Sequence, residues 1–290
     1  MNRRSRFVAT AITMGALAWT SPAKAFIPYI YLPSPEDRRG SSIGIGRTAA
    51  QLLQLGQPRE AAQLALLAVR LRPDDERLWS VLAEAQLRSN QLDAATQSLA
   101  RAKELNPHKA GLWFAQAAIA LRSGRPDEAI YLLRRGLQLD PKNASAYFDL
   151  GNARILQKNL ASALDAFEQA TSLKPSFWEA LNNQALVLYE MGNRNEAIVR
   201  WRKVLTIDNN PEPMLALAAA LHRRGDAEQE ALKLAQQALA ANPNYVLPLH
   251  QEEQLWGPQI RNATADLLMR SELRDTVERA QANATWKKAN

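Results

Sequence analysis

The 290-residue sequence contains no cysteine. Disulfides, thiolate metal sites, cysteine nucleophiles and a lipidated N-terminal cysteine are thereby excluded. Histidine is nearly as scarce: His108, His222 and His250 are the only three, and they lie far apart. There is no HExxH, nucleophile elbow, P-loop or dinucleotide fingerprint. His250 stands near Glu252 and Glu253, but a lone histidine beside surface acids is ordinarily solvated. Gly44 and Gly46 follow no strand, so they do not read as a phosphate loop. No catalytic constellation emerges, and neither an enzyme activity nor a cofactor is expected. Glycine is sparse, at 12 residues. Alanine is abundant and loses no side-chain entropy in a helix, so an ordered helical protein is expected.

A concentrated excess of charge is also missing. The formal net charge is +7, from 36 basic and 29 acidic residues. Four of the basic residues (Arg3, Arg4, Arg6, Lys24) precede residue 26, where no acid occurs, and the remainder carries only +3. Nucleic-acid binding needs a concentrated basic face, so no nucleic-acid partner is expected. The same N-terminal stretch has the form of a secretory signal. Arginines are followed by the apolar run Phe7 to Thr20, and Ala23-Lys24-Ala25 supplies a small-x-small cleavage pattern. Fourteen residues fall short of the roughly 20 needed to span a bilayer. Cleavage after Ala25 and export to a periplasm or thylakoid lumen are expected.

What the sequence does have is a period. Pro73, Pro107, Pro141 and Pro175 are spaced by 34 residues, and Pro243 falls two periods further on. Asn209 stands in the vacant place, with Pro211 close by. Ala61, Ala95, Ala129, Ala163, Ala197 and Ala231 keep the same step, as do Ala49, Ala83, Ala117, Gly151, Ala185 and Ala219. A third column runs Ala68, Ala102, Gly136, Ala170, Val204, Ala238. Small residues at a fixed step mark where helix axes approach to about 8–10 Å. Large residues fill the space beside them: Trp79, Trp113 and Tyr147 in first helices, Leu99, Leu133, Phe167 and Trp201 in second helices. Gly56, Gly124 and Gly192 are placed to end first helices in a left-handed conformation. The prolines stop the second helices.

The pattern Tyr147, Leu150-Gly151, Ala163, Phe167, Ala170, Pro175 closely resembles the tetratricopeptide repeat signature. The resemblance covers residues 42–245 as six units, and it implies an all-α solenoid, a right-handed superhelix of helix-turn-helix units. It also implies that the first helices line a concave groove for an extended peptide or a helix. Arg88, Phe114, Leu121, Arg122, Phe148, Asp149, Asn152, Ile155, Asn182, Asn183 and Tyr189 would fall there. By that resemblance Asn152 and Asn183 hold a partner's main chain, since an amide both donates and accepts. Ordinary hydrogen bonding between helices is the alternative for both. The basic residues with which some family members clamp a carboxylate terminus are replaced by Phe148, Pro213 and Leu217, which argues against a heat-shock co-chaperone.

Four regions result: a signal at 1–25, an extended aromatic and proline-rich arm at 26–41, the repeats at 42–245, and C-terminal capping helices with a frayed tail at 246–290. Within the arm, 26–35 either straps the first repeat or touches a partner or membrane; 36–44 reads as a polar hinge. A helix is predicted over 259–282, although Arg270 and Arg274 intrude on its apolar stripe. The segment FIPYIYLPSPE with GIGRTAAQLLQLG is similar to signal-bearing repeat proteins of cyanobacteria, some of which act in photosystem biogenesis. The expected function is a non-enzymatic scaffold in an exported compartment with a protein partner and with membrane contact only through its N-terminal segment. The alternative is a self-associating envelope protein or an anchor for peptidoglycan enzymes.

Overall fold

A computed structural model describes residues 34–285. The export signal and residues 26–33 of the arm lie outside the described residues. Twelve helices form six consecutive hairpins: α1 Pro35–Gln54 with α2 Pro58–Leu71, α3 Glu76–Arg88 with α4 Leu92–Leu105, α5 Ala110–Arg122 with α6 Pro126–Leu139, α7 Ala144–Leu156 with α8 Leu160–Leu173, α9 Trp178–Glu190 with α10 Arg194–Leu205, and α11 Pro211–Arg224 with α12 Glu228–Ala241. A 3₁₀ turn (Pro243–Val246), α13 (Pro248–Glu253), α14 (Pro258–Leu268), a second 3₁₀ turn (Ser271–Leu273) and α15 (Arg274–Asn283) complete the described chain. No strand occurs among the described residues, and no helix of theirs is long and apolar enough to cross a membrane.

The periodic residues build the hairpins as expected. All six alanines of the column from Ala61 to Ala231 are fully buried. Gly151 faces the Phe167 ring so closely that an added Cβ would come within 2.4 Å of it, which is why this one place in the column lacks even a methyl. Gly56, Gly124, Gly192 and Gly225 follow or end first helices with positive φ. Helices α2, α4, α6 and α8 each end two residues before the periodic proline. The same prolines are tied to the next hairpin: the indoles of Trp79 and Trp113 donate to the carbonyls of Pro73 and Pro107, at 2.9 and 3.1 Å. Where Asn209 replaces proline, α10 is the shortest of the twelve, and Asn210 instead caps α11 through the Glu212 amide.

Two expectations are corrected. Residues 36–44 are not a hinge, and 35–41 is not extended. They are the first turns of α1, started by Pro35 and by a capping box in which Ser34 and Asp37 exchange hydrogen bonds. The predicted helix over 259–282 is broken after Leu268. A continuous helix would carry Arg270 and Arg274 into the apolar stripe. The break instead buries Leu273, leaves Met269 in solvent and frees Arg270 to pair with Glu228 and Glu272.

Candidate partner-binding groove

The first helices of each hairpin line one concave face, and the structure divides that face in two. Over α9 and α11 it is filled by α14, which packs on both of those helices and makes no comparable contact with α12. Ile260, Ala263 and Leu267 of α14 join a buried cluster with Leu186, Tyr189, Leu217 and Ala220. Polar contacts fix the helix in place. The Glu190 carboxylate accepts from the backbone amides of Gln259 (3.1 Å) and Ile260 (2.9 Å), and so caps α14 from another element. Gly257 makes this approach feasible, since a Cβ there would meet the Glu190 carboxyl carbon at 2.3 Å. Arg223 pairs with Asp266 on the far side. Burial of Ile260, Leu267 and Leu273 contributes about 1.5–3 kcal/mol for each side chain, and Trp256 is buried beside them, so the segment around α14 is an integral part of the fold.

Over α3, α5 and α7 no other element of the described chain covers the concave face. The residues expected to line the groove sort into three groups there. Arg88 and Arg122 are braces. Each guanidinium donates to a carbonyl near the end of the preceding first helix, Leu53 at 3.3 Å and Leu87 at 3.1 Å, and Arg88 also pairs with Glu84. Asn182, Asn183 and Tyr189 are buried rather than groove-lining in the open sense. Asn182 accepts from the Trp201 indole (3.0 Å) and donates to Glu212 (3.0 Å), and Asn183 donates to Asn152 (2.9 Å). These asparagines bond helix to helix, the alternative left open for Asn152 and Asn183. Tyr189 packs at a tilt against Trp201 under the cover of α14. The remaining residues, Phe114, Leu121, Phe148, Asp149, Asn152 and Ile155, are half-buried. Phe114 leans on Gly136, and Phe148 on Phe167 and Phe177 at ring separations of 5.8 and 5.1 Å, so both rings pack inward as well as facing the groove.

The open face ends at a pocket of about 350 Å³ lined by Phe148, Asn152, Trp178, Glu179, Asn182, Asn183, Glu212, Glu253, Gln254 and Leu255. The end wall is the residues that follow α13 and lead to α14. Glu212 is the half-buried polar centre of the floor. Its carboxylate accepts from Asn182 (3.0 Å) and from the Trp256 indole (3.1 Å), with Tyr245 as a third donor. Burial raises the Glu212 pKa, and these hydrogen bonds oppose the rise. Beside the pocket, burial without a compensating cation pushes Asp149 up to about 6. Glu212 and Trp256 were not singled out from sequence. A glutamate after Pro211 reads as an ordinary first-turn acid, and only the return of the C-terminal segment encloses it. A larger cavity, about 620 Å³ between α12 and α15, is lined mainly by amides and alkyl groups with Arg279 as its one charged residue. No group of three or more potential ligands able to hold a metal ion occurs among the described residues.

Two tetratricopeptide repeat models match the chain, at residues 49–110 and 120–181. No curated protein matches it in sequence. Among solved structures it is similar to PilF of Pseudomonas aeruginosa, with a TM-score of 0.64 and 19% identity over 76% of this chain and 98% of that one. It is also similar to MamA of Desulfovibrio magneticus RS-1 (TM-score 0.55, 18% identity, 67% of this chain and 100% of that one). A third similar structure is YrrB, described as having an unusual peptide-binding site (TM-score 0.52, 19% identity, 66% and 99%). At these identities the likeness concerns the fold.

Proposed function

The chain is a tetratricopeptide-repeat protein, and from that premise we propose that it is a non-catalytic scaffold that holds a segment of a partner protein along its open concave face. The observation that carries this reading is the division of that face. One half is filled by the chain's own helix, which supports a partner helix lying on the other half in the same way. The other half, over α3, α5 and α7, presents apolar side chains and an amide beside a pocket. A partner segment would lay Leu121- and Ile155-facing side chains inward and end at the pocket, with Asn152 offering its free amide hydrogens to main chain. The peptide-binding site described for YrrB supports the reading by analogy of fold. The signal-like N-terminus supports action in an exported compartment, a periplasm or thylakoid lumen, with assembly of a complex as the role.

A photocrosslinking amino acid placed at Ile155 tests it in cells of the native organism. A discrete adduct is expected there and not from the same group at Tyr131, an exposed second-helix residue. Equal labelling from the two positions, or none from Ile155, would overturn the proposal.

A further inference from the structure

The pocket at the end of the open face has a chemistry that the rest of the face lacks. Three of its lining residues are carboxylates, Glu179, Glu212 and Glu253, and none is basic. Glu212 is occupied by its three internal donors, and its role is to hold the floor. Glu179 is different: it is half-buried, and no cation pairs with it among the described residues. Glu253, the last residue of α13, lines the same pocket and is exposed. Phe148 and Trp178 add two aromatic rings to the lining. Carboxylates next to aromatic faces form the surroundings in which a guanidinium or ammonium is held by charge and by the ring quadrupole together. The volume equals roughly twelve waters at liquid density, which accommodates a long alkyl stem with a charged head.

We propose that this pocket takes one basic side chain of the partner segment, and so sets the register of that segment on the concave face. The inference rests on the peptide-binding reading given above and adds its specificity. Glu179 and Glu253 would receive the cationic head. Phe148 and Trp178 would flank the stem, and Asn152 would hold the adjoining main chain. Because the end wall after α13 blocks further travel along the groove, the basic residue would mark one end of the bound stretch.

Selection of a displayed random dodecamer library on the folded full-length chain, followed by titration calorimetry of the winning peptides, tests this. Winners are expected to share one arginine or lysine at a fixed distance from apolar residues. Replacing that arginine by citrulline, or the lysine by norleucine, is expected to weaken binding at least tenfold. The paired variant Glu179→Gln with Glu253→Gln should show the same loss and become indifferent to the replacement. Both substitutions are isosteric on accessible side chains, and an unchanged melting curve verifies the fold. Winners that bind the open face without a basic residue would overturn the cation pocket and leave the scaffold reading standing. Failure to select any binder would overturn both.

Discussion

The two halves of the concave face are built from the same repeat and differ in what lies on them. Under α14, repeats five and six present Leu186, Tyr189, Leu217 and Ala220, all of them buried, with Glu190 and Arg223 spent on the helix that covers them. In repeats two to four the equivalent positions are half-buried or exposed, and in repeats two and three Arg88 and Arg122 turn back to brace the preceding repeat. The framework columns are alike in the two halves, so the alanines that make the fold do not distinguish a filled groove from an open one. One difference lies in the last residues of α3, α5 and α9. Arg88 and Arg122 point along the stack, whereas Glu190 points across it.

The largest test of that comparison is to remove residues 257–290. Uncovering the buried cluster is expected to strip hydrogen-exchange protection from α9 to α12 while α3 to α6 keep theirs. Uniform loss, or none, would mean that the halves do not differ in this way. A smaller effect is expected from Glu212→Ala, which leaves Asn182, Trp256 and Tyr245 without their shared acceptor. The cost in chemical denaturation should be about 3 kcal/mol, with Glu212→Gln about half as damaging. A loss under about 1 kcal/mol would show that this network is not a keystone between pocket and cap. The smallest concerns the open half. Asp149 has a folded pKa raised to about 6 by burial, against 3.8 as the ordinary value. The folded state therefore binds more protons between those values, and stability falls as pH rises through them. Asp149→Asn should accordingly stabilise the protein by about 1–2 kcal/mol at pH 8, and the gain should vanish below about pH 4. A gain independent of pH would assign it to something other than the carboxylate.

The repeat units, their turns and their small-residue columns were legible in the sequence because each unit packs against its neighbours, so the same requirement recurs every 34 residues. The start of α1 was legible in principle. Ser34-Pro35-Glu36-Asp37 is an N-terminal capping pattern, although the Gly40, Ser41, Ser42 and Gly44 that follow disfavour helix. The filled half of the groove was not legible. The apolar stripe of Ile260, Ala263 and Leu267 says that one face of α14 must be covered, but not which surface covers it. For the same reason Tyr189 looked like a groove residue, since its repeat position is a groove position and the helix above it lies seventy residues away. Asn152 and Asn183 had two readings from sequence, and the structure joins the two side chains across α7 and α9.

One consequence of the Glu190 contacts concerns time. Most contacts in the repeats lie within a hairpin or between adjacent hairpins, and such local contacts form early because they close short loops. The bond from the Ile260 amide to Glu190 spans 70 residues. While the chain is being made, repeats one to four can stack as they emerge, but repeats five and six keep an apolar trough uncovered until residues 258–268 arrive. For that interval the nascent protein carries two grooves rather than one, and the second is the stickier.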